Sequence, residues 1–108
     1  MLKCEGNTIH LTRGDSAVLL LKIRRDDETE YELQAGDSVL FTVKNSVYDT
    51  AVIMQKKLTG GAIKLNPDDT KNLQYGTYYY DVELTQSDGF VATVIGPQKL
   101  IIEPEVTY

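Results

Sequence analysis

The chain is written as short runs of aliphatic, β-branched and aromatic residues cut apart by turn chemistry, and this punctuation constrains the fold more than any other feature. Turn signals stand at Arg13-Gly14-Asp15, Gln34-Ala35-Gly36-Asp37, Thr59-Gly60-Gly61, Ser87-Asp88-Gly89 and Gly96-Pro97. Between them, apolar or alternating runs fall at 8–11, 17–24, 30–33, 38–44, 52–58, 62–65, 77–85, 90–95 and 99–103. Many short strands at such spacing predict an all-β sandwich or barrel. The period is clearest over 38–44, where Val39, Phe41 and Val43 share one face and Ser38, Thr42 and Lys44 the other, with Leu40 as the exception. Tyr80, Val82 and Leu84 oppose Tyr79, Asp81 and Glu83 in the same way. In the run 17–24, Ala17, Leu19, Leu21 and Ile23 alternate with Lys22 and Arg24, but Val18 and Leu20 are apolar too. That pattern predicts a strand that is central or covered on both faces. The segment 66–73 breaks the strand pattern. Pro67 behind a possible cap, followed by Asp68 and Asp69, suits the first turn of a helix. One short helical turn near 67–73, crossing from one sheet to the other, is the expectation.

A length of 108 residues fits one domain, expected to span 1–108 with its core at about 7–103 and short tails at both ends. The hydrophobic fraction of 42% is enough for a real core. A net charge of −5 repels phosphate backbones and anionic lipid, so neither nucleic acid nor a membrane is an expected partner. Cys4 is the one cysteine, which excludes a disulfide-stapled domain. The N-terminal stretch has no apolar core of signal-peptide length and no run approaches a membrane span, so folding in a reducing cytoplasm is expected.

Residues that could carry chemistry are sparse. His10 lies in an alternating strand beside Ile9 and Leu11, and with Cys4 it offers at most one nucleophile–base pair. One cysteine and one histidine cannot close a four-ligand zinc site. The acids of Asp26-Asp27-Glu28 and Asp68-Asp69 lack the spaced ligands of a calcium loop, and read better as a solvated hairpin tip and a helix start. No glycine-rich phosphate loop follows a strand and opens a helix. The expectation is a non-enzymatic protein with no cofactor, no metal and no small-molecule substrate. Tyrosine is the unusual component: Tyr75, Tyr78, Tyr79 and Tyr80 crowd into six positions. Alternation sends Tyr78 and Tyr80 one way and Tyr79 the other. The inward pair suits a sandwich corner closed by a hydroxyl bonded to backbone. Tyr75 and Tyr79 read equally as exposed strand tyrosines or as contact residues, and with Tyr48 and Tyr108 they form the candidate interface set.

Three stretches also resemble a known family: "LTRGDS" opening a strand, "AGDSVLFTVKNS", and "IKLNPDDTKNLQYGTYYYDVELTQSDGFVATVI". Together they are similar to the immunoglobulin-like N-terminal domain of phage baseplate upper proteins and its free-standing relatives in phages and prophages of Gram-positive bacteria. The resemblance runs from about Leu11 to Ile102. It implies an immunoglobulin-like antiparallel sandwich of about 7–9 strands, no catalysis, and a structural or assembly role in the baseplate, tail or head of a particle. The implied partners are other phage structural proteins and further copies of the chain. The implied location is the bacterial host cytoplasm during assembly and then the virion. The chain stops at "EPEVTY", without the further domains of a full baseplate upper protein, which favours a small accessory or adaptor piece. The competing expectation is a carbohydrate or cell-wall binding module that uses exposed tyrosines as stacking platforms.

Arg13-Gly14-Asp15-Ser16 also spells an adhesion-receptor motif. Yet Gly-Asp-Ser recurs at Gly36-Asp37-Ser38, again just before an apolar run, and overlaying the two puts Ala17 on Val39, Leu19 on Phe41 and Leu21 on Val43. Turn chemistry explains both copies, whereas receptor recognition explains only the one that has an arginine. The motif therefore reads as the punctuation that precedes a core strand.

Overall fold

Alternation converts the apolar positions of each strand into one sheet face. The computed structural model describes residues 2, 4 and 6–106, so Tyr108 falls outside the described residues. Within them the strands are β1 (Ile9–Thr12), β2 (Ala17–Leu20), β3 (Ser38–Lys44), β4 (Met54–Lys57), β5 (Ala62–Leu65), β6 (Gly76–Thr85) and β7 (Val91–Glu103), with one helical turn, α1 (Pro67–Thr70), between β5 and β6. A five-stranded sheet in the order β1-β7-β6-β3-β4 faces a two-stranded sheet formed by β2 and β5. The chain is an all-β, immunoglobulin-like sandwich, as expected. Its pairings are antiparallel except for β1 with β7, which run parallel. A parallel pair needs a long connection, and here nearly the whole chain lies between the two strands.

The core fills the space between the sheets. Phe41, Val39 and Val43 of β3 meet Tyr80, Val82 and Leu84 of β6, with Leu100 and Ile102 of β7 beside them, and Ile63 and Leu65 of β5 close the other side. Each such side chain contributes about 1.5–3 kcal/mol by leaving water. Phe41 and Tyr80 pack ring against ring, with centroids 5.1 Å apart. Tyr78 and Tyr80 both point inward, and each needs a partner for its hydroxyl. Tyr78 donates to the carbonyl of Gln74 at 2.8 Å, which is the corner arrangement anticipated for it, and Tyr80 donates to the carbonyl of Asn7.

The helical turn forms as its sequence dictates. Pro67 occupies its start, and Asp69 Oδ2 accepts the N–H of Asn66 at 2.6 Å. Lys56 of β4 reaches Asp69 Oδ1 at 2.8 Å and ties the turn to the large sheet. Thr70, at its end, is fully buried.

Strand ends shift, most of all where the run 17–24 yields a strand that stops at Leu20 and 52–58 one confined to Met54–Lys57, and three further details differ from the sequence reading. The run 30–33 forms no strand; Arg24 and Glu30 make one isolated bridge, and Tyr31 N–H reaches the carbonyl of Ile23 at 2.8 Å. Its polar neighbours Glu30, Glu32 and Gln34 have no sheet face to complete. The runs 90–95 and 99–103 are one continuous strand, because Gly96-Pro97 makes a bulge rather than a turn. Tyr80 pairs with Gln98 and Val82 with Ile95, so one residue of β6 stands against two of β7. A second shift follows between Val82 and Glu83, and it places the successive residues Val94 and Ile95 both in the core. Finally, β2 is covered on only one face. Ala17 and Leu19 turn toward the core, but Val18 and Leu20 are 59% and 78% exposed, because β2 belongs to a sheet of two strands with nothing stacked on its outer side.

Candidate functional site

The β7 bulge opens a groove on the outer face of the large sheet. Cross-strand register places Lys44 beside Tyr79, Thr42 beside Asp81 and Leu40 beside Glu83. Opposite Asp81 the backbone of β7 swings away through Gly96-Pro97. The result is a groove of about 290 Å³ lined by these residues with Gln55, Val47, Val52 and Pro97. Asp81 is its chemical centre. Its carboxyl sits above the usual carboxylate range because partial burial disfavours the charge, and Lys44 only partly offsets this. No described residue donates a hydrogen bond to it; the nearby amide of Gln55 is given instead to Thr42 Oγ1, at 3.1 Å. A half-buried acceptor with apolar walls is suited to a donor from outside the chain, above all a basic one. The volume is at the lower end of the range for small-molecule sites and fits one or two protruding side chains.

The sequence-derived tyrosines distribute unevenly about this groove. Tyr79 lines it. Tyr48 is 91% exposed on the turn 46–49, next to Val47 of the groove wall. Tyr75 lies elsewhere, with the Arg13 guanidinium over its ring at 4.2 Å from the centroid. Tyr78 and Tyr80 are core residues. Among the described residues the one close aromatic pair, Phe41–Tyr80, is internal. The groove itself was not visible in the sequence, although a proline inside a strand run is the signal of a bulge.

The Arg-Gly-Asp-Ser corner is occupied by structure. Asp15 N–H bonds the Thr12 carbonyl at 3.0 Å, with Gly14 at φ +84°, the geometry of a type II turn. Asp37 N–H bonds the Gln34 carbonyl at 3.0 Å, with Gly36 at φ +89°, so the two Gly-Asp-Ser copies are the same turn. Gly14 N–H donates to the buried Thr70 Oγ1 at 2.8 Å. Arg13 gives Nε and Nη2 to Glu105 Oε1 at 3.1 and 2.9 Å and Nη1 to the Leu73 carbonyl at 3.3 Å. At the second turn, Asp37 accepts from Tyr31 Oη at 2.6 Å, from Gln34 N–H at 2.8 Å and from Ser87 N–H at 3.2 Å. The Tyr31 bond first, then those backbone donors, hold the Asp37 carboxyl below the usual range, and Asp37 in turn raises the Tyr31 hydroxyl.

The remaining candidates for chemistry have structural places. His10 Nδ1 lies 3.6 Å from Glu103 Oε2 on an open surface. Cys4 is half-buried with its N–H on the carbonyl of Val94. Asp27 accepts from Thr29 N–H and Oγ1 at the hairpin tip, and Asp68 pairs with Lys71. Among the described residues no group of three or more His, Cys, Asp or Glu side chains could hold a metal ion, and no helix is long and apolar enough to cross a membrane.

No family model matches the chain, and no curated protein does. In structure the chain is similar to the crystal structure of CopC from Methylosinus trichosporium OB3b, with a TM-score of 0.53, 13% identity and 100% of each chain covered. A likeness at that identity speaks to the fold alone.

Proposed function

We propose that the chain is a non-enzymatic structural or assembly module of a bacteriophage or prophage particle, acting through protein–protein contacts on the outer face of its five-stranded sheet. The observation that carries the contact role is the half-buried Asp81 carboxylate, which receives no donor from the described residues and floors an amphipathic groove. The particle context rests on the sequence resemblance. In this reading a basic or hydrogen-bonding side chain of a neighbouring particle protein enters between Lys44 and Pro97 and bonds Asp81. Tyr79 and the Val47–Tyr48 turn supply contact area around it.

The test is to purify particles from a host that carries the gene, measure their protein composition, and repeat with Asp81→Leu and Tyr79→Ala. The chain is expected in fixed ratio to the other particle proteins, with both variants folded but depleted from particles at least tenfold. A chain absent from particles, or variants incorporated at the wild-type level, would sink the proposal.

A further inference from the structure

We infer that β2 is the contact strand of a symmetric dimer, in which two copies pair their β2 strands antiparallel and join two sandwiches through one four-stranded sheet. This inference is independent of the particle assignment and of the Asp81 groove.

The small sheet is where the fold is incomplete. Among the described residues β2 pairs with β5 alone, so its second edge carries unpaired backbone groups. Natural edges are usually blunted by brevity, charge, proline or a bulge, and at four residues β2 has only the first of these. From Ala17 to Leu21 this edge has no charge, no proline and no bulge. Its outward side chains, Val18 and Leu20, are among the exposed large apolar residues of the chain. Beside the same edge a cleft of about 220 Å³ leads between the sheets to Phe41, Tyr80 and Val82, which are core residues. An added strand would cover that mouth and complete the backbone pairing together.

Charge identifies the added strand as a second copy. The edge is preceded by the exposed Asp15 and followed by the exposed Lys22 and Arg24. An antiparallel partner with the same sequence brings its basic end to this acidic end, and the match repeats at the other end by symmetry. Centring the two-fold axis on Leu19 sets Val18 against the partner's Leu20 and Ala17 against the partner's Leu21. Residues of equal parity then meet, so outward apolar groups face outward apolar groups and inward ones extend the core. The net charge of −5 on each copy opposes association at long range and is screened beyond about 8 Å at physiological salt. A weak dimer whose population rises with concentration and with moderate salt is the expectation.

Sedimentation of the full chain from micromolar to near-millimolar concentration tests this. A monomer–dimer equilibrium is expected, and Leu20→Asp should weaken it at least tenfold while the monomer's thermal unfolding stays unchanged. Register is read separately by cysteine pairing in a Cys4→Ser background. Val18→Cys mixed with Leu20→Cys should form a cross-strand disulfide, while Val18→Cys alone should not. A chain that stays monomeric throughout, a dimer indifferent to Leu20→Asp, or preferential linkage of position 18 to position 18 would each overturn the inference.

Discussion

Replacing Arg13 by alanine separates a structural corner from a recognition motif, and its cost can be worked from the contacts. The guanidinium makes two hydrogen bonds to one oxygen of Glu105, a long one to the Leu73 carbonyl, and lies 4.2 Å from the Tyr75 centroid. The Arg13 and Glu105 side chains are 22% and 18% exposed, so solvent screening is partial. An exposed ion pair is worth about 0.2–1 kcal/mol, and a cation over an aromatic ring about 0.5–1 kcal/mol. Arg13→Ala should therefore destabilise the chain by roughly 1–2 kcal/mol, a fall of about 5–10 °C in melting temperature at this length. Urea unfolding of Arg13→Ala, Glu105→Gln and the double variant gives the coupling directly, expected at about 0.5–1 kcal/mol and smaller in high salt. Asp15→Glu, which disables a receptor-read Arg-Gly-Asp, keeps the backbone turn and should cost less than about 0.5 kcal/mol. If Arg13→Ala is neutral, or the coupling is zero, the corner is not held by this residue and the reasoning fails.

Three further outcomes follow from named contacts. Tyr78→Phe removes the hydroxyl that closes the corner on Gln74 and should cost about 1 kcal/mol by denaturant titration; no change would mean that water replaces the bond. Gly36→Ala must hold a side chain at φ +89° with its Cβ 2.8 Å from Ser87 Cβ, whereas Gly61→Ala at φ +78° meets open space. The second should cost about 1–2 kcal/mol and the first a further 1–3 kcal/mol, so equal melting temperatures would contradict the packing described. The Tyr31–Asp37 bond needs an ionised acid and a protonated phenol. Because the folded Asp37 value is depressed, its contribution is present above about pH 4 and is lost as pH falls through the folded value. Because the folded Tyr31 value is raised, its contribution is present below about pH 10 and is lost as pH rises through the folded value. Stability of Asp37→Asn measured across pH should show a smaller acid-side loss than the parent, the part that remains coming from groups such as Asp27, whose value is also depressed; parallel profiles would refute the linkage.

How far the sequence reveals this molecule depends on how local each cause is. β3 falls on its expected residues because alternation and a preceding glycine turn act within a few positions, and β5 because the Gly60-Gly61 turn marks its start. The two Gly-Asp-Ser turns were legible for the same reason, down to the positive φ of Gly14 and Gly36. Non-local causes were not. Gly96-Pro97 has the composition of a turn, and only its pairing with β6 makes it a bulge that aims Asp81 into a groove. Arg13 and Glu105 are 92 positions apart, with no pattern linking them. The apolar doublet of Val18 and Leu20 suggested a covered strand; the fold leaves it open, and that mismatch points to the second copy.

The proposed contact role of the outer sheet face is tested most directly by placing a photo-cross-linking amino acid at position 79 and irradiating particles made in a host that carries the gene. Tyr79 and Asp81 line the same groove, so a cross-linker in place of Tyr79 reports what enters that groove. The account predicts one dominant adduct with another particle protein, lost when Asp81→Leu is added. Irradiation that yields no adduct in particles containing the chain would contradict it.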